Sequence, residues 1–116
     1  MRKDATMDIQ IKRLRRCDLV VAKGRIDSAT VEQLNEALAD VKNSGRFNIV
    51  LNLAEVTYIS SAGLGALVET QKSCKSRHGE LVLAAVPERI SEALNLAGLT
   101  TLFKVFADDT EAIGSF

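Results

Sequence analysis

Residues 56–68 read Val-Thr-Tyr-Ile-Ser-Ser-Ala-Gly-Leu-Gly-Ala-Leu-Val, and this stretch marks the passage from a strand to a helix. The apolar run Ile49–Leu53 before it predicts a buried strand, which a short connector joins to Ser60 and Ser61. An amphipathic helix is expected to begin at those serines. Because the first N–H groups of a helix have no partner within it, a hydroxyl here is well placed to carry or to bind a phosphate.

Runs of alternating or continuous apolar residues on both sides predict strands. They cover Asp8–Leu14, Leu19–Ile26, Phe47–Leu53, Leu81–Val86 and Leu102–Phe106. After the second strand a single helix is expected between successive strands, and such crossovers make the strands parallel. The first two strands are separated only by a short turn, so one edge must be antiparallel. The predicted fold class is α/β, a mixed sheet with helices in the order strand, strand, helix, strand, helix, strand, helix, strand, helix.

Helical periodicity and capping residues indicate where the helices begin and end. The first helix has an apolar stripe formed by Val31, Leu34, Leu38 and Val41. Its start offers alternative N-caps at Asp27, Ser28 and Thr30. Thr30 with Gln33 also fits a capping box. The second helix is expected to run to about Arg77, the third to hold Pro87 in its first turn, and the last to be capped by Asp108.

Length and composition exclude several classes of function. The 116 residues suit one domain spanning 1–116, and the 15 basic and 15 acidic residues balance. This balance argues against a nucleic-acid partner, and the absence of Trp argues against a base-stacking platform. Cys17 and Cys74 lack metal-ligand spacing and are expected to be buried, reduced thiols, while His78 has no second histidine to work with.

The N-terminus and the apolar runs bear on location. Residues Met1–Thr6 are polar and lack the apolar centre of a signal peptide. The longest apolar run, Leu81–Val86, is much too short to span a bilayer. We therefore expect a cytoplasmic protein with no membrane segment.

Two catalytic or ligand-binding interpretations of the serine turn are weak. A hydrolase nucleophile elbow needs glycine two residues before the nucleophile, and Ile59 occupies that position. A dinucleotide fingerprint would need a third glycine after Gly63 and Gly65, and both of these fall inside the expected helix. Close packing of the helix against a strand explains the two glycines better.

Two interpretations remain open from the residues alone. Ser60 or Ser61 is an N-cap that contributes about 1 kcal/mol to stability. Alternatively, Ser61 is a phosphoacceptor on a docking surface, where a phosphate of about −1.5 to −2 charges would block a partner without unfolding the protein. Physical chemistry favours the cap over the switch.

The landmarks of the chain together resemble the STAS family, and within it the stand-alone anti-anti-sigma factors of bacteria. They are Gly24-Arg25-Ile26-Asp27 leading to Thr30, residues 49–53 with 56–65, Leu96-Ala97-Gly98-Leu99, and Leu102-Phe103-Lys104-Val105-Phe106. The resemblance covers nearly the whole chain and implies a STAS-type mixed sheet with four helices. It also implies a protein with no catalysis of its own and no cofactor.

The resemblance further implies a function and its residues. Such proteins bind an anti-sigma factor that is also a serine kinase, which phosphorylates the acceptor serine, here Ser61, and a PP2C-type phosphatase restores binding. Ser60 stands where many phosphorylated members carry Asp, and is the alternative acceptor. The implied docking surface comprises Asp27, Ser28, Thr30, Ser60, Ala62, Gly63 and Leu64. We expect a monomer. The alternative is a STAS subunit of a signalling scaffold or of a lipid- or anion-transport complex.

Overall fold

The computed structural model describes residues 7–116, so the polar start Met1–Thr6 lies outside the described residues. Within that range the chain forms a five-stranded sheet in the order β1-β2-β3-β4-β5. The strands are β1 Asp8–Arg13, β2 Asp18–Ile26, β3 Asn48–Ile59, β4 Glu80–Ala84 and β5 Val105–Phe106. The helices are α1 Val31–Asn43, α2 Ser61–Ser76, α3 Glu88–Leu96 and α4 Asp109–Gly114. β1 is antiparallel to β2 and the other neighbours are parallel, which confirms the predicted α/β fold and order.

The two faces of the sheet are covered unequally. The residues of β3 alternate, with Ile49 and Leu51 in the main core and Val50 in a smaller cluster on the opposite face. The main core holds apolar residues of α1, α2 and α3, including Leu34, Leu38, Leu67, Ile90 and Leu94. The smaller cluster includes Cys17, Val82 and Ala112 of α4. Three helices therefore lie on one face and α4 on the other.

The predicted connector between Leu53 and Ser60 is wrong, because β3 continues without a break to Ile59. Burial of Val56 and Ile59 in the main core favours the extension. The pairing of β2 with β3 shifts register twice, the second time between Gly24 and Arg25. Gly24 has a φ of +111°, a backbone conformation that side-chain-bearing residues rarely adopt. This bulge lets both strands run to the same edge of the sheet.

The predicted end of β4 and the predicted start of β5 also differ from those in the structure. β4 stops at Ala84 rather than Val86, since Ala85 has a φ of +55° and leaves the extended conformation. β5 begins only at Val105, because residues 100–102 form a single 3₁₀ turn. The buried amide of Gln71 donates to the Leu102 carbonyl over 2.7 Å and holds that turn against α2.

Pro87 lies one residue outside α3, as its N-cap, instead of within its first turn.

Candidate functional site

The candidate site lies where β2 and β3 end side by side. Ile26 and Ile59 are register partners at the carboxyl ends of these parallel strands. The N–H of Ser60 donates to the Ile26 carbonyl over 2.8 Å. This contact places the loop that begins at Asp27 beside the first turn of α2. The structure thus brings together the two segments that the sequence assigned to one surface.

Ser60 is the N-cap of α2. Its backbone is extended, with φ −90° and ψ 175°, and its Oγ accepts a hydrogen bond from the Gly63 N–H over 3.2 Å. The capping interpretation therefore applies to Ser60. Since the hydroxyl oxygen satisfies an otherwise unpaired helix N–H, Ser60 contributes to the stability of the helix start.

Ser61 is the first residue of α2 and is exposed. Within residues 7–116 its hydroxyl takes part in none of the hydrogen bonds that fix this turn. α2 is 16 residues long, so Ser61 stands at the positive end of a substantial helix dipole. The hydroxyl is accessible to an approaching protein, and a negative charge on it would be tolerated by its own helix.

Asp27 provides a fixed negative charge beside this turn. Its Oδ1 accepts from the Ala29 N–H at 3.0 Å, and its Oδ2 accepts from Arg25 Nε at 3.3 Å. The Thr30 hydroxyl, whose shorter bond is to the Arg25 carbonyl, shares its hydrogen with Oδ1 at 3.3 Å. Although burial disfavours the charged form, the hydrogen bonds from Ala29, Arg25 and Thr30 and the charge of Arg25 lower the pKa of Asp27. The carboxylate is ionised at neutral pH and about a quarter of the side chain is exposed.

The predicted capping box at Thr30 is wrong. Thr30 precedes α1 but its side chain makes no capping bond. The hydroxyl donates to the Arg25 carbonyl over 2.7 Å and accepts from the Asp27 N–H over 3.0 Å, so it closes the loop instead. The Gln33 amide pairs with the backbone of Met7, through its Oε1 at 3.0 Å and its Nε2 at 2.9 Å. The Thr30 side chain thus serves its own loop, and the Gln33 side chain binds a segment 26 residues away.

The two glycines of the serine turn have different environments. A Cβ added to Gly63 would lie 2.6 Å from the Cγ2 of Ile26 and 2.7 Å from the Cγ1 of Ile59. This confirms the predicted close packing of the helix on the strands at Gly63. The same prediction is wrong for Gly65, where an added Cβ would meet no atom of the described residues within 4 Å apart from its own stretch of helix.

The residues assigned to the docking surface divide by exposure. Thr30 is 1% exposed, so its side chain is out of reach of a partner, and Gly63 is buried and has no side chain to offer. Both act by shaping the loop and the helix start, which corrects their assignment to the contact surface. The exposed or half-buried members are Asp27, Ser28, Ser60, Ala62 and Leu64, and with Ser61 they form what we call the serine surface.

Two neighbouring residues were missed by the sequence reasoning. The guanidinium carbon of Arg25 lies 4.3 Å from the centroid of the Tyr58 ring. The two residues are register partners, one position before Ile26 and Ile59. A tyrosine two positions before the serine pair was a usable signal. The bulge that pairs it with Arg25 was not visible in the sequence.

Except for Asp27, the metal-ligating residue types and the two cysteines of the described residues lie outside the serine surface. Between residues 7 and 116, no group of three or more His, Cys, Asp or Glu side chains could hold a metal ion. Cys17 and Cys74 are buried and free. Burial raises the pKa of both thiols, that of Cys74 to about 11.

None of the helices in the described part of the chain has the length and apolar composition needed to cross a bilayer.

Comparison with known proteins identifies the family. The model of the STAS domain matches residues 8–112. An anti-sigma-B factor antagonist of Staphylococcus epidermidis is 33% identical over 101 residues, which cover 85% of this chain and 94% of that protein. The crystal structure of an anti-sigma factor antagonist from Mycobacterium paratuberculosis has a TM-score of 0.87 at 19% identity, covering 99% of this chain and 97% of that one.

A third match is to the Bacillus cell fate determinant SpoIIAA in its phosphorylated form. Its TM-score is 0.74 at 19% identity, and the match covers 93% of this chain and 98% of that chain. At such identities the two structural matches show a shared fold. The family-model match and the Staphylococcus relative together establish that this chain belongs to the STAS domain family.

Proposed function

We propose that this protein is an anti-anti-sigma factor, which binds an anti-sigma serine kinase through the serine surface and is released when Ser61 is phosphorylated. The observation that carries the proposal is the division of labour between two adjacent serines. Ser60 caps α2, whereas Ser61 is exposed and its hydroxyl makes no hydrogen bond to the residues that the structure describes. A PP2C-type phosphatase would restore the binding form.

The geometry favours Ser61 over Ser60 as the acceptor. A phosphate on Ser60 would change the oxygen that accepts the Gly63 N–H and would disturb the cap. A phosphate on Ser61 would leave that bond intact. The kinase could therefore modify Ser61 without altering the start of the helix.

Electrostatics explains how one phosphate could end the binding. It adds about −1.5 to −2 charges at pH 7 beside the carboxylate of Asp27, which is already ionised. The helix dipole compensates part of that charge within the fold. An apolar partner surface pressed onto it would have to desolvate the phosphate, which is costly. Binding is lost while the fold is kept.

The relatives support this function. The Staphylococcus epidermidis and Mycobacterium paratuberculosis proteins are both named as antagonists of anti-sigma factors, and SpoIIAA has a phosphorylated form. Regulation of transcription by partner switching would follow from the same binding. Such a protein needs neither a cofactor nor catalytic groups of its own, and it acts in the cytoplasm as a monomer.

Phosphorylation in vitro tests the proposal. The purified chain is incubated with the anti-sigma kinase of its own organism and ATP, and the modified residue is located by mass spectrometry. We expect one phosphate on Ser61 in wild type, one on Ser61 in Ser60→Ala, and none in Ser61→Ala. Phosphate on Ser60, or none on wild type, contradicts the assignment. Lack of any binding to the kinase would favour the alternative role in a scaffold or transport complex.

A further inference from the structure

Arg25 and Tyr58 form an exposed pair at the edge of the serine surface. The guanidinium of Arg25 lies over the Tyr58 ring at 4.3 Å, a cation–π contact between the ends of β2 and β3. The Tyr58 residue is 39% exposed, and half of the Arg25 side chain is exposed. The part of Tyr58 that remains exposed is apolar surface that the described residues do not cover.

The hydrogen bonds of Arg25 leave part of its guanidinium free. Nε donates to Asp27 Oδ2 at 3.3 Å. Among residues 7–116, neither of the two terminal nitrogens of Arg25 donates a hydrogen bond. The stack and the Asp27 contact hold the planar group in one orientation. Its remaining donors match the two oxygens of a carboxylate, and their prior ordering lowers the entropy lost on binding.

The pair is close to the proposed phosphoacceptor. Tyr58 precedes Ser61 by three residues, so their Cα atoms lie within about 11 Å of each other. Arg25 reaches Asp27, which belongs to the serine surface. Tyr58 and Ser61 both lie at the edge of the sheet where β2 and β3 end, within the span of an interface that buries about 800 Å² on each partner. Tyr and Arg are the residue types that most often dominate binding energy at interfaces.

We propose that the Arg25–Tyr58 stack is an anchor of the contact with the anti-sigma kinase, an inference that rests on the proposed function. The occupant is a segment of the kinase that offers an apolar recess to the ring and a carboxylate at its rim to the free guanidinium donors. The stack would supply affinity, and Ser61 would supply the switch. Arg25 and Tyr58 would then determine which kinase is recognised.

Binding measurements with the purified kinase test the anchor. The affinity of wild type is compared by calorimetry with four variants of the whole chain: Tyr58→Ala, Tyr58→Phe, Arg25→Lys and Leu96→Ala. Tyr58→Phe keeps the ring, and Arg25→Lys keeps the charge but lacks the planar fork. Leu96 is 87% exposed on α3 and serves as a matched apolar control. Thermal unfolding of each variant checks that the fold is kept.

The outcomes separate this inference from the function on which it rests. We expect Tyr58→Ala and Arg25→Lys to lower the affinity about tenfold or more, while Tyr58→Phe and Leu96→Ala stay within about threefold of wild type. If folded Tyr58→Ala or folded Arg25→Lys binds within twofold of wild type, the stack is not an anchor. If wild type itself does not bind the kinase, the proposed function fails first.

Discussion

The backbone N–H of Ser60 donates to the carbonyl oxygen of Ile26, 2.8 Å away, and this bond ties the start of α2 to the end of β2. Asp27 follows one partner and Ser61 follows the other, so the contact fixes the two groups of the site relative to each other. The serine surface is thus built on two strand ends rather than on a mobile loop. Changes in packing below it should therefore affect it directly.

Substituting Gly63 or Gly65 by alanine tests that packing, and the two substitutions should change the stability of the protein in opposite directions. Gly63→Ala places a methyl group 2.6 Å from Ile26 Cγ2, so the core must shift, and we expect a loss of about 1–3 kcal/mol. Gly65 lies within α2, where an added methyl group would point into open space. Gly65→Ala should therefore stabilise the protein by up to about 1 kcal/mol, because alanine favours the helix more than glycine does. Urea unfolding measures both. Equal effects of the two substitutions would show that α2 is not pressed against the strands at Gly63.

Ser60 and Ser61 should differ in stability as clearly as in function. Ser60→Ala removes the oxygen that accepts the Gly63 N–H, and we expect a loss of about 1 kcal/mol. Ser61→Ala removes an exposed hydroxyl outside these capping bonds and should stay within about 0.5 kcal/mol of wild type. Thermal and urea unfolding distinguish them. A larger loss for Ser61→Ala than for Ser60→Ala would mean that Ser61, and not Ser60, stabilises the start of the helix.

The opposite end of the sheet depends on one buried ion pair. Arg46 donates to the buried carboxylate of Asp18, to the carbonyl of Leu14 and, at 3.2 Å, to that of Cys17. Arg46→Ala leaves the Asp18 charge buried without its partner and should cost about 3–5 kcal/mol. The exposed pair of Lys23 with Glu55, 3.7 Å apart, is the control.

The control substitution, Lys23→Ala, should change the free energy of unfolding by less than about 1 kcal/mol. Urea denaturation of both variants gives the comparison. If Arg46→Ala costs no more than Lys23→Ala, the buried pair does not stabilise the fold.

The lowered pKa of Asp27 makes the stability of the protein depend on pH. Although burial opposes ionisation, hydrogen bonds from Ala29, Arg25 and Thr30 lower its pKa in the folded protein. A lowered folded pKa stabilises the fold above the unfolded value of about 4, and that stabilisation is lost as the pH falls through the folded pKa. Asp27→Asn should therefore be less stable than wild type at pH 7, and the difference should shrink on acidification.

Urea unfolding of wild type and Asp27→Asn at a series of pH values between 7 and 2 provides the measurement. The other titrating groups are shared, so they cancel in the difference. A difference that stays constant over this range would show that the Asp27 charge does not contribute to folding.

Much of the fold could be predicted because its local signals agree with its packing. The ending of α3 is one example: Gly98 has a φ of +73°, and the Leu99 N–H bonds to the Leu94 carbonyl over 2.9 Å, an ending typical of glycine followed by an apolar residue. The cap of α4 is another, since Asp108 accepts from the Glu111 N–H over 2.9 Å. Both features depend on residues only a few positions apart.

The errors arose where distant residues decide the structure. The bulge at Gly24 lets β3 extend to Ile59, and its cause lies in pairing between two strands. Gln33 pairs with Met7, 26 residues away, rather than with Thr30. The Arg25–Tyr58 stack depends on the register that the bulge creates. The sequence contains all of these residues, but their spacing along the chain does not reveal the contacts.

The central claim is that charge on Ser61 decides whether the kinase can bind. The direct measurement is the calorimetric affinity of the anti-sigma kinase for wild type before and after stoichiometric phosphorylation, with Ser61→Ala carried through the same treatment. We predict a loss of about 30-fold or more on phosphorylation of wild type, equivalent to about 2 kcal/mol, and no loss for Ser61→Ala. Equal affinity of the kinase for the phosphorylated and unmodified chains would contradict the account.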